Sequence, residues 1–189
     1  LNKLGFCEEA ADHFRRALEI QPDFPEALNN LGNTLLSLKQ HSGSILAFEK
    51  ALQLKPDYAE ALANLANAQR EAQCPDLSEE ALLKAIRLKP DFAAAYSNLG
   101  NAYSDQGKIE LALENYRRGI ELGQADRDFV PNYLFALNYS PSASDAEINE
   151  EHRRLAAAHF DGLLDPTPHT NRPEAGRRLR VGYVSADFW

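Results

Sequence analysis

The residues in this chain whose type and spacing could do chemistry are amides. Asn30, Asn64 and Asn98 recur at intervals of 34 residues, and Asn33, Asn67 and Asn101 repeat that interval three positions later. A carboxamide donates through nitrogen and accepts through oxygen. A regular file of them can therefore pair with the alternating N–H and C=O groups of an extended peptide, whatever its side chains. The competing reading is that these amides bond neighbouring helices or water and were copied by repeat duplication. Asparagine is a mediocre residue inside a helix, which makes three in phase harder to explain as neutral drift.

Other reactive residue types offer less. His152 and His159 fall seven residues apart on one helical stretch, a rise of about 10.5 Å, too far to ligate one metal. No metal site is expected, and packed, hydrogen-bonded histidines are the better reading. Cys7 and Cys74 lie 67 residues apart, close to two periods, so they occupy similar places in units two apart. Stacked helices sit about 8–10 Å apart, which puts the thiols beyond the roughly 7 Å reach of a disulfide. Both are expected to be buried free thiols, in keeping with a reducing, cytoplasmic setting. A net charge of −8 argues against nucleic acid as the main partner, and the basic cluster Arg177, Arg178 and Arg180 reads as part of a solvated linker.

The amides are positioned by a repeat. Pro22-Asp23-Phe24, Pro56-Asp57-Tyr58 and Pro90-Asp91-Phe92 also stand 34 residues apart, the length of a tetratricopeptide unit of two antiparallel helices. Taking the third residue after each proline as position 1, the apolar positions 4, 7 and 11 hold Leu28, Leu31 and Leu35, then Leu62, Leu65 and Gln69, then Tyr96, Leu99 and Tyr103. This 3,4 spacing makes one apolar stripe per first helix. Small residues at position 8 (Gly32, Ala66, Gly100) leave room for the second helix. The second helices offer a large knob and a small neighbour in Phe14/Ala17, Phe48/Ala51, Leu82/Ala85 and Tyr116/Gly119. Cys74-Pro75-Asp76 interrupts the turn of the second unit, and a displaced helix start is expected there. The first helices should line the inner curve of a right-handed superhelical solenoid. Asn30, Asn64 and Asn98 at position 6, off the core stripe, would form a file on that wall, and Asn33, Asn67 and Asn101 at position 9 lie one turn further along.

The fold expected is thus all-α over residues 1–124, with a partial repeat over 1–24 and full repeats over about 25–58, 59–92 and 93–124. Residues 125–162 read as a helical connector, with a short apolar helix over Val130 to Asn138. A capping box at Ser144 and Glu147 opens a second helix running to about Asp161, with Gly162 as its stop. Ile148, His152, Leu155 and His159 share one of its faces. Residues 163–178, rich in proline, glycine and polar types, read as a linker. Residues 179–189 open with the strand pattern Leu179-Arg-Val-Gly-Tyr-Val-Ser185. The chain starts at Leu1 and part-way through a unit, which reads as a piece of something longer. No apolar run approaches the length of about 20 residues that a membrane span needs.

Leu179 to Phe188 closely resembles the opening strand of the catalytic region of O-GlcNAc transferases and related glycosyltransferases of the SPINDLY type. Asn138-Tyr139 followed by the Glu151-His-Arg-Arg154 helix is similar to the connector of their bacterial members, and the repeats share the Asn-Leu-Gly-Asn phrase. The resemblance implies two Rossmann-like lobes, of which this chain holds only the first β-strand, and transfer of a sugar to Ser or Thr hydroxyls from a nucleotide donor, UDP-GlcNAc before GDP-fucose. It implies that Asn30, Asn64 and Asn98 match an acceptor-binding ladder. Where the family often has aspartates contacting acceptor side chains, this chain has Glu26, Glu60 and Ala94. The family's active-site histidine would follow Trp189, so no catalytic residue is expected within the chain and the 189-residue segment alone is expected to be inactive. The rival expectation is a non-catalytic tetratricopeptide scaffold for protein–protein interaction, with the strand opening an unrelated α/β domain.

Overall fold

The structure, a computed structural model, describes residues 2–123 and 129–160. They form α1 (Asn2–Ile20), α2 (Pro25–Ser37), α3 (His41–Leu54), α4 (Ala59–Glu71), α5 (Pro75–Leu88), α6 (Ala93–Asp105), α7 (Ile109–Glu121), α8 (Phe129–Leu137) and α9 (Asp145–Phe160). Among the described residues there is no strand. The linker over 163–178, the segment 179–189 and the arginine cluster lie outside them.

Three hairpins, α2/α3, α4/α5 and α6/α7, share one register. Their first helices start at residues 25, 59 and 93, and their second helices at 41, 75 and 109. The displaced start expected after Cys74 is therefore corrected: α5 begins in step with the others, with proline in its first turn, where the missing N–H would be an orphan in any case. Lys39, Gln73 and Gly107 take the same place in the three tight turns, all in the left-handed region with φ of 60°, 66° and 71°. The turn geometry is fixed while its chemistry drifts.

Each hairpin closes on one large and one small residue. A methyl on Gly32 would sit 2.6 Å from the ring of Phe48, and one on Gly100 would sit 2.6 Å from the ring of Tyr116. In the middle hairpin both partners change together, to Ala66 and Leu82, each fully buried. The sum of sizes is conserved where the single sizes are not, as dense interior packing demands. Gln69, which stands on the apolar stripe, is buried with its Oε1 unpartnered.

The stacking is asymmetric. Among the described elements α2 touches α4, α4 touches α6 and α6 touches α8, whereas no second helix touches another second helix. The side with the closer spacing is the inside of the bend, so the first helices form the concave wall. The stack does not stop at Gly123. The short apolar helix α8 packs against α7 and α6, where the first helix of a further unit would lie, and α9 packs on α8.

Polar bonds fix this end. Tyr133, buried on α8, receives a hydrogen bond from Arg117 Nε of α7 at 3.1 Å and donates to Glu151 Oε1 of α9 at 3.1 Å. The expected capping box is present, with Ser144 N–H donating to Glu147 Oε2 at 2.8 Å and Glu147 N–H to Ser144 Oγ at 3.4 Å. Leu155 is buried and Ile148 packs on the same core, while His152 is half-buried. The cysteine expectation is corrected in one respect. Both are free thiols, yet Cys7 is half-buried and Cys74 is exposed at the start of α5, because the turn preceding that helix faces solvent.

Candidate functional site

Both amide files lie on the first helices, and their members differ in how much hydrogen-bonding capacity they keep. In the position 6 file, Asn30 is exposed, while Asn64 and Asn98 are half-buried. Asn64 Nδ2 donates to Asn29 Oδ1 of the preceding unit at 2.9 Å, which leaves its oxygen facing the groove side as acceptor. The position 9 amides Asn33, Asn67 and Asn101 are all half-buried. Asn67 Oδ1 accepts from Arg70 Nη2 at 3.2 Å. Asn101 Oδ1 accepts from Tyr116 O–H at 2.6 Å and from Asn132 Nδ2 at 3.1 Å. Each of these three bonded amides spends one end on the fold and keeps the other.

The charges around the files are spent on each other. Lys55 pairs with Glu26 at 3.5 Å, Lys89 with Glu60 at 3.1 Å, Lys39 with Glu71 at 2.9 Å and Arg70 with Asp105 at 3.1 Å. The first two tie the end of a second helix to the start of its own first helix. Lys55 also lies over the ring of Tyr58 at 4.6 Å and Lys89 over Phe92 at 4.9 Å. The third hairpin has Ala94 and Gly123 at the corresponding places and loses both partners together. Glu26 and Glu60 thus serve hairpin closure. Backbone N–H donation at the start of α4, helped by Lys89, holds the Glu60 carboxyl below its ordinary value. Burial, with Asp105 nearby, pushes the Tyr116 phenol up to about 12, so it remains a donor to Asn101 at any physiological pH.

Sequence reasoning missed Asn29, Arg70 and Tyr116, which orient the amides, and Asn132 and Phe135 beside them. Asn29 and Arg70 have no counterpart of the same type in the other units, so no periodic signal marks them. Asn132 and Phe135 lie past the end of the 34-residue pattern.

The largest cleft lies elsewhere. About 560 Å³ in volume, it is apolar and bounded by Leu18, Leu28, Leu31, Leu46 and Leu54 of α1, α2 and α3. Among the described residues no group of three or more His, Cys, Asp or Glu could hold a metal ion, and no helix is long and apolar enough to cross a membrane.

Comparison with known proteins agrees with this geometry. A tetratricopeptide repeat family matches residues 25–58 and 93–124, and a second TPR repeat family matches residues 1–39. No curated protein matches the chain. Solved structures of MamA are similar: one shares 23% identity at a TM-score of 0.67, covering 82% of this chain and 94% of its own. A second, a MamA RS-1 ArsTM double mutant, shares 20% identity at a TM-score of 0.66, covering 81% of this chain and 89% of its own. A third shares 22% identity at 0.65, covering 87% and 92%. In all, 329 solved chains match, and a fold so widely shared does not choose among functions. The helical hairpins of this chain are tetratricopeptide repeats.

Proposed function

We propose that this chain is a protein-interaction module that grips an extended segment of a partner along the wall of its first helices, mainly by the partner's backbone. One observation supports this above others: the acidic side chains Glu26, Glu60, Glu71 and Asp105 are neutralised by their own neighbours, and the polar groups left over are amide ends. A surface of that kind recognises main chain and is tolerant of sequence. The test is calorimetry with a peptide selected from an unstructured random library. Asn30→Ala/Asn64→Ala/Asn98→Ala should lose about 0.5–1.5 kcal/mol per lost bond, a drop of roughly tenfold or more. Affinity should change little between about 0.05 M and 0.5 M salt, because no net charge is read. Equal affinity of the triple variant, with helical content unchanged, would refute the proposal.

A second reading is favoured by the Leu179 to Phe188 sequence. In it, the segment gripped by the repeats is the acceptor of an O-linked protein glycosyltransferase, and UDP-GlcNAc or another nucleotide sugar supplies the sugar to a Ser or Thr hydroxyl. Transfer needs a donor held in a preorganised cleft, so the activity would belong to a longer protein that carries this chain. Mass spectrometry of acceptor peptides incubated with that protein and UDP-GlcNAc or GDP-fucose decides it. A folded but inactive protein with both donors leaves the interaction module alone.

A further inference from the structure

We infer that the α8 end of the concave wall holds a pocket for one residue of a bound extended peptide, in which Asn101 and Asn132 take its backbone amide and Phe135 receives an aromatic or branched aliphatic side chain. The inference rests on the reading of the first-helix wall as a peptide groove and extends it to two residues outside the 34-residue pattern.

The cleft, about 340 Å³, lies between α4, α6 and α8, and Arg70, Asn101, Asp105, Tyr116, Asn132 and Phe135 are among its walls. Its amides are set in advance. Both acceptor positions of Asn101 Oδ1 are filled, by Tyr116 O–H at 2.6 Å and by Asn132 Nδ2 at 3.1 Å, which fixes the plane and the sense of the Asn101 amide. Asn101 Nδ2 and Asn132 Oδ1 make no hydrogen bond among the described residues. Because the two amides are bonded to each other, this free donor and free acceptor stand side by side. That pair complements the C=O and N–H that an extended peptide turns to one side.

Beside this pair the surface is aromatic. Phe135 is 62% exposed and Tyr139 61%, and their rings are stacked at 5.0 Å and tilted by 52°. Large aromatics flanking fixed polar groups are the composition of binding hot spots. The one cation in the cleft is already taken, Arg70 being held by Asp105 at 3.1 Å and by Asn67 at 3.2 Å. An acidic side chain therefore gains nothing here, and an uncharged apolar one gains the ring of Phe135.

The test is nuclear magnetic resonance of the side-chain amides of the whole chain, titrated with N-acetylphenylalanine N-methylamide, its glycine counterpart and its aspartate counterpart. The phenylalanine compound should move the Asn101 and Asn132 signals and saturate in the millimolar range, and the other two should bind at least about tenfold more weakly. Phe135→Ala should reduce the phenylalanine compound to the level of the glycine one. Asn132→Ala should weaken all three, and both positions are exposed, so the fold is kept. Still signals at Asn101 and Asn132, or equal binding by Phe135→Ala, would overturn the inference. If those signals stay still while a selected peptide moves Asn30, Asn64 and Asn67, the pocket fails and the groove stands. If only the pocket responds, the groove fails and the pocket stands.

Discussion

Gly32→Ala should be tolerated only when Phe48 shrinks. The added methyl would lie 2.6, 2.7 and 2.8 Å from three ring carbons of Phe48, against about 3.5–4.0 Å for an ordinary carbon contact, so ring and helix must separate by roughly 1 Å. Phe48 is fully buried, and Gly32 is also tied across the hairpin, its carbonyl accepting from Ser44 Oγ at 2.8 Å. Neither side yields easily, and overpacking of this kind costs about 1–3 kcal/mol. Phe48→Leu alone leaves a void and costs a comparable amount. Combined, the two changes reproduce the Ala66/Leu82 pairing of the middle hairpin. The double variant should then be more stable than the sum of the single losses allows, with a coupling of at least about 1 kcal/mol. Urea unfolding followed by circular dichroism gives the four free energies, and each kcal/mol should move Tm by about 2–4 °C in a chain of this size. Additive losses, or a neutral Gly32→Ala, would refute the size-matching rule and with it the packing account of the hairpins.

Gln73→Gly should stabilise the chain by about 0.5–1 kcal/mol, because Gln73 holds a φ of 66° that Gly107 meets at the same turn position without strain; a loss of stability in the same urea assay would mean the turn is held by the Gln73 side chain. Alkali should unfold the chain in a defined window. The fold favours the neutral phenol of Tyr116, raised from 10 to about 12 by burial, so its contribution is whole below pH 10 and is lost as pH rises towards 12. Tyr103 and Tyr133 are raised in the same direction. Tyrosinate absorbance should therefore rise together with the loss of helical signal, and ionisation of the full set well before unfolding would contradict the burial.

The repeat, its register and the hairpin knobs were legible because each is written several times at one interval, so that Leu28, Leu62 and Tyr96 report the same place in the fold. The middle turn was misread because a proline in sequence looks like a break, and only the shared start at 41, 75 and 109 shows that Pro75 fits the helix it opens. The exposure of Cys74 follows from that turn. The amide files were legible as positions but not as states. Which end of Asn64 or Asn101 remains free depends on Asn29, Tyr116 and Asn132, and these partners sit in neighbouring helices and occur once each. Continuation of the wall into α8 was hidden because its packing on α6 uses Asn132, Tyr133 and Ala136 in place of the repeated phrase.

Contact between successive first helices, with none between second helices, makes the inner wall a ruler of fixed pitch. Helices in contact cannot approach more closely than about 8–10 Å, so the chain can flex by moving its outer helices while the rungs inside keep their separation. An extended peptide advances about 3.3 Å per residue. One rung of the wall therefore meets roughly every third residue of whatever lies along it, and since side chains of an extended segment alternate, neighbouring rungs see opposite faces. A partner is measured in steps of three residues before any of its side chains is read.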